Sequence, residues 1–151
     1  QGLILCGGGD ISKIKKNKEN VLRDKFEKFI LKNFIEKNKP VLCICRGFQL
    51  LSSINKGKFI KSSLHVRTKH LIKIENNSKY INYKKLNINS YHNYNITHID
   101  LKKFNIVAKT IDGSIEIAEH KIKKILCIMF HPERKNISQK KINKIIKNFF
   151  K

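Results

Sequence analysis

Cys45 stands between an apolar run, "VLCI", and a segment that opens with Arg46-Gly47 and continues "FQLL". A strand that ends in a tight turn and re-enters as a helix lifts one side chain off the sheet edge, which is the layout of a nucleophile elbow. A thiol at that point feels the positive end of the helix dipole, which favours the attacking thiolate over the thiol. The first N–H groups of such a helix, beginning with that of Arg46, have no intrahelical partner and are free to hold an oxyanion. A cysteine nucleophile also needs a base, and the base needs an orienting group. The run "FHPER" offers both: in extended backbone His131 and Glu133 project to one side, with Pro132 stiffening the link. The residues therefore predict a triad of Cys45, His131 and Glu133.

The elements that must carry this triad follow from periodicity. "QGLILC" is a short apolar run entering "GGGD", a buried strand that feeds a glycine-rich loop. In "NVLRDKFEKFILKNFIEKN", Val21, Leu22, Phe26, Phe29, Ile30 and Phe34 recur at helical steps, predicting an amphipathic helix with these residues on its core face. Pro40 interrupts, "VLCIC" reads as a second buried strand, and "RGFQLLSSINKG" as a helix that stops at Gly57. Strand, helix, strand, helix implies parallel strands joined by helical crossovers. The middle of the chain changes texture: "HLIKIE", "KLNINSY" and "NIVAKTIDGSIEIAEH" alternate apolar and polar residues, with a hairpin signal at Asp112-Gly113. "KILCIMF" returns to an all-apolar strand, and the final "SQKKINKIIKNFF" places Ile142, Ile145, Ile146 and Phe149 on one helical face. The expected fold is α/β, a three-layer sandwich around a mostly parallel central sheet, with an inserted antiparallel section, in one domain over residues 1–151. Both triad segments follow parallel strands, at whose carboxyl ends open α/β sheets place their sites.

Composition sets the surroundings. The net charge of +22 is compatible with nucleic-acid binding, but only four of the 33 basic residues are arginine, the lysines are spread along the whole chain, and Lys, Asn and Ile are enriched together. That trio matches A/T-rich coding, so nucleic acid is an unfavoured partner, although the positive field suits an anionic small substrate. No apolar stretch is long enough for a membrane span and no signal-peptide layout opens the chain, which predicts a cytoplasmic protein. Cys6, Cys43 and Cys127 lie in apolar runs and read as reduced core residues. Neither metal nor redox cofactor is expected: His65 and His70 have no helical spacing and no acidic or thiol companion nearby in sequence, so they read as solvated or substrate-loop residues.

Five stretches in order, "GLILCGGGD", "PVLCICRGFQLL", "NSYHNYNI", "DGSIEIAEH" and "CIMFHPER", resemble the motifs of the class I glutamine amidotransferase superfamily, with its flavodoxin-like fold, and especially its γ-glutamyl hydrolase branch, peptidase family C26. Within the branch they look most like hydrolases of γ-glutamyl-CDP-amidate in capsule phosphoramidate synthesis. The resemblance implies cleavage of a γ-glutamyl amide through a glutamyl thioester on Cys45. It implies an oxyanion hole from Gly8, Gly9 and the Arg46 N–H, and a glutamyl-binding set of Gln49, Ser90, Tyr91, His92 and Glu116. Cys43 stands where the family usually has Gly, and Met129 where it often has Gln. Complete relatives also carry a strand, helix and strand ahead of the glycine loop, so the chain, which opens on Gln1 already in a strand, is expected to be N-terminally incomplete, with a complementary N-terminal fragment as one partner. Two alternatives stand beside the hydrolase reading: a glutaminase subunit delivering ammonia to a synthetase partner, and an inactive remnant or basic nucleic-acid-binding module.

Overall fold

The computed structural model describes residues 1–151. Its centre is a five-stranded sheet in which β1 (Leu3–Leu5), β2 (Val41–Ile44) and β9 (Ile125–Ile128) run parallel, and β8 (Ile115–His120) and β7 (Phe104–Lys109) continue antiparallel in the order β1-β2-β9-β8-β7. Because β7 reverses β8, and β8 reverses β9, four of the five strands point the same way. The "DG" between β7 and β8 turns as expected, with Gly113 at a φ of 84°.

Two further ribbons were partly hidden in the sequence. β4 (Val66–Lys73) pairs antiparallel with β5 (Lys85–Tyr91), and β3 (Lys58–Lys61) pairs with β6 (Tyr94–His98). The second pair leaves little trace in the sequence, because "KFIK" and "YNITH" are short and carry few apolar residues.

Alternation along the parallel strands sends Val41 and Cys43 to one face and Leu42 and Ile44 to the other, giving two apolar clusters and hence three layers. The first cluster packs under α1 (Lys18–Glu36) and α2 (Arg46–Ser53), through Leu31, Phe48, Leu50 and Leu51. The second takes Ile142, Ile145 and Phe149 of α3 (Gln139–Phe149) together with Ile72, Leu86 and Ile88 from the β4–β5 ribbon. No helix is long and apolar enough to cross a membrane.

Two expectations are overturned here. The apolar stripe of α1 faces outward: Phe26 and Phe29 are 64% and 66% exposed, with Val21 and Leu22 also exposed, while Asp24, Glu27 and Leu31 are buried and Phe34 packs at the edge of the core. The reason is Arg46, whose wholly buried guanidinium draws both carboxylates inward. Cys6 is exposed, because β1 ends at Leu5 and leaves it in the loop, whereas Cys43 and Cys127 are buried side by side across β2 and β9.

Candidate active site

The turn from β2 into α2 is an elbow in its backbone. Cys45 adopts φ 47° and ψ −102°, a left-handed conformation that non-glycine residues seldom hold without support. The support is visible: its N–H donates to the Ile128 carbonyl at 2.8 Å, and its own carbonyl accepts from Gln49 N–H at 2.9 Å. Gly47 lets the helix close on β1, since a Cβ there would fall 2.5 Å from the Leu5 carbonyl oxygen. Cys43, in the place where the family resemblance expects Gly, points into the core and does not crowd the turn.

Below the elbow lies a network that motif reasoning missed. The Arg46 guanidinium forms buried ion pairs with Asp24 and Glu27 of α1. Asp24 accepts from the Ser12 N–H and hydroxyl at 2.8 and 2.7 Å, and Glu27 accepts from Arg23 at 2.8 Å. Arg23 in turn donates to the carbonyls of Gly8 and Gly7, at 2.8 and 3.2 Å. One chain of charge-assisted bonds thus ties the elbow helix, α1 and the glycine loop together. The Arg46 side chain points away from the cleft, leaving only its backbone N–H for chemistry. The signal was available as Asp24 and Glu27 at i and i+3, but an apolar stripe on the same helix masked it.

At the end of β9 the chain leaves extended structure, so His131 and Glu133 do not project together from a strand as expected. They meet through a turn: His131 Nδ1 lies 2.6 Å from Glu133 Oε1. The His131 main chain is clamped, with its N–H donating to Asn89 Oδ1 at 2.8 Å and its carbonyl accepting from Asn89 Nδ2 at 2.8 Å and from Asn136 Nδ2 at 3.1 Å. Asn89 N–H closes the loop on Asn136 Oδ1 at 2.7 Å. Tyr91 stands edge-on to the His131 ring, with centroids 5.7 Å apart, and Arg134 lies over the tyrosine ring, its guanidinium 4.1 Å from the centroid. On the opposite side, Gly7 leaves room for the imidazole: a Cβ there would sit 2.5 Å from His131 Cε1.

Cys45 and His131 open on one cavity of about 300 Å³, walled by Gly8, Gly9, Gln49, Tyr91, His92 and Arg134 among others. Gln49 is anchored by its Nε2 donating to the Tyr94 carbonyl at 3.0 Å, which leaves its Oε1 as an acceptor. Ser90 and Glu116, expected to grip substrate, lie behind this wall. Both are fully buried, with Ser90 Oγ donating to the His65 carbonyl at 2.8 Å and Ser114 Oγ donating to Glu116 at 3.2 Å. His65, expected as a solvated or substrate-loop residue, is also buried there. The resting thiol departs from expectation too. Burial pushes Cys45 up to about 12; the Arg46 N–H and Arg134 oppose this, while the carboxylates of Glu116 and Glu133 add to it.

The family model described as Peptidase C26 matches residues 1–133. The chain belongs to the peptidase C26 family. Among curated members of similar sequence, the γ-glutamyl-CDP-amidate hydrolase of Campylobacter jejuni is 33% identical over 138 residues, covering 90% of this chain and 64% of that protein. The chain therefore spans a little under two-thirds of the length of this relative. Among solved structures, a Thermoplasma acidophilum protein assigned to GMP synthase superimposes with a TM-score of 0.78 at 21% identity, over 99% of this chain and 70% of that one. A glutamine amidotransferase from Thermotoga maritima gives 0.72 at 16% identity, over 87% and 56%. The C26 chain thus has the class I glutamine amidotransferase fold anticipated from its motifs.

Proposed function

We propose that the chain is a cysteine-dependent hydrolase of γ-glutamyl amides. The observation that carries this reading is the shared cleft: Cys45 on a left-handed elbow and His131 held by Glu133 line one cavity whose walls include the glycine loop. With Nδ1 committed to Glu133, the Nε2 of His131 remains to accept the thiol proton as Cys45 Sγ attacks the γ-carbonyl. The oxyanion is held by the Arg46 N–H and the backbone around Gly8 and Gly9. The C–N bond breaks, His131 returns its proton to the leaving amine, and a water deprotonated by His131 then attacks the thioester, releasing glutamate and restoring the thiol. Since burial disfavours the free thiolate, proton transfer to His131 accompanies attack rather than preceding it.

Gln49, Tyr91 and His92 form the wall for the glutamyl head group. The candidate substrate is γ-glutamyl-CDP-amidate, by similarity to the Campylobacter relative and because Arg134 at the cleft mouth suits a phosphate-bearing leaving group. Four free cysteines accord with a reducing, cytoplasmic setting. The test is labelling with the glutamine mimic 6-diazo-5-oxo-norleucine, mapped by peptide mass. The expected result is one adduct on Cys45, lost in Cys45→Ala, followed by turnover of γ-glutamyl amides. A folded chain with Cys45 unlabelled would overturn the reading.

A further inference from the structure

Behind the cleft wall, three side chains far apart in sequence converge, and Ser114 Oγ, donating to Glu116 Oε1 at 3.2 Å, and Asp112, 2.8 Å from His65 Nε2, engage only part of their polar atoms. His65 precedes β4, His92 sits in the turn between β5 and β6, and Glu116 is on β8; they are 1%, 3% and 0% exposed. His65 Nδ1 and His92 Nε2 point at the same carboxylate oxygen, Glu116 Oε1, from 3.7 and 3.5 Å, beyond hydrogen-bond length. His65 Nδ1, both ring nitrogens of His92 and Glu116 Oε2 are buried with no partner. Buried polar atoms are almost always paired, and four orphans in one place call for a missing group.

The other nitrogen of His65 is already engaged. Its Nε2 lies 2.8 Å from Asp112 Oδ2, a carboxylate that also accepts from Asn95 Nδ2 at 3.0 Å and from the Thr110 hydroxyl. With Nε2 engaged by Asp112, Nδ1 is the His65 nitrogen that faces Glu116. When Nε2 donates to Asp112, the Nδ1 lone pair is free to take a cation beside the Glu116 carboxylate.

We propose that His65, His92 and Glu116 form a binding site for a divalent cation of the zinc class. Two imidazoles and one carboxylate are a borderline donor set suited to zinc rather than to magnesium or calcium. The three ligand atoms lie within 4.8 Å of one another, and bonds of about 2.0–2.2 Å place tetrahedral ligands roughly 3.4 Å apart, so the two contacts to Glu116 need little change, while the imidazoles, stacked with centroids 4.8 Å apart, must turn to aim at one ion. Asp112 behind His65 is the outer carboxylate that orients metal-bound histidines. The ion would join the β4–β5 and β3–β6 ribbons to the central sheet beside the cleft, without entering the hydrolytic chemistry.

The test uses the full chain with Cys6→Ser and Cys45→Ser, which removes the thiols that could capture zinc elsewhere. After chelator treatment it is titrated with zinc by calorimetry and with cobalt, followed by absorption spectroscopy. The expected result is one equivalent of zinc, the visible bands of four-coordinate cobalt and a melting temperature that rises with zinc concentration. Glu116→Gln should abolish binding, and Asp112→Asn, a change at a partly exposed side chain that spares the core, should weaken it about tenfold to a hundredfold. A folded chain that takes up no metal, or one whose binding is the same in both variants, would overturn the proposal.

Discussion

The guanidinium of Arg46, the residue after the elbow cysteine, is paired with Glu27 in the middle of α1, in a contact closed to solvent. A buried charge left alone costs far more than the pair contributes, so the expectation is asymmetric. Glu27→Gln and Asp24→Asn together, which leave Arg46 with neither carboxylate, should destabilise the chain by about 3–5 kcal/mol in urea unfolding, and either alone by less. Phe26→Ser and Phe29→Ser, on the exposed stripe of the same helix, should stay within about 0.5 kcal/mol. The opposite ranking would show that α1 packs by its apolar stripe after all.

Any side chain at Gly7 would compete with the His131 ring for the same space. Gly7→Ala should push the imidazole away from its position against Glu133 and lower kcat on a γ-glutamyl substrate by roughly 100-fold, with KM less affected, since small misplacements of a reacting group are costly. Steady-state kinetics with a folded variant would decide it; an unchanged kcat would remove His131 from the reaction.

Asn89 grips His131 through both its N–H and its carbonyl. Asn89→Ala leaves buried main-chain groups unpaired and should cost about 1–3 kcal/mol in stability. Thermal unfolding compared with wild type checks this, and the drop in activity should exceed what the loss of folded protein explains.

The burial that lifts Cys45 to about 12 predicts slow alkylation at neutral pH. Reaction with iodoacetamide should climb about tenfold per pH unit through the alkaline range, because only the thiolate reacts. Mass mapping should show the exposed Cys6 labelled ahead of it. Rapid, pH-independent labelling of Cys45 between pH 6 and 8 would instead point to a preformed thiolate.

Asp112, held at about 2, should leave a mark on acid stability. Its carboxyl is more acidic folded than unfolded, where about 3.9 is usual, so its contribution is fully present above pH 4 and fades as pH falls towards 2. Chemical denaturation at pH 5 and pH 3 should show wild type losing more stability than Asp112→Asn over that interval.

Local chemistry was legible in the residues themselves. The elbow could be read from "CICRG", and the contact of His131 with Glu133 from their spacing of two residues, because turns and near neighbours are set by short-range sterics and hydrogen bonds. All-apolar runs marked β2 and β9, since strands covered on both faces admit nothing else. What periodicity could not reveal was which face of α1 turns inward. The stripe of Phe26 and Phe29 and the pair Asp24 and Glu27 were both visible, but only the tertiary position of Arg46 decided between them, by placing a positive charge where water cannot reach and these two carboxylates can. The same holds for His65, His92 and Glu116, which are spread over 52 positions of sequence, two in connecting segments and one on β8. Their meeting depends on the packing of the antiparallel ribbons against β8, a long-range arrangement that no local pattern encodes.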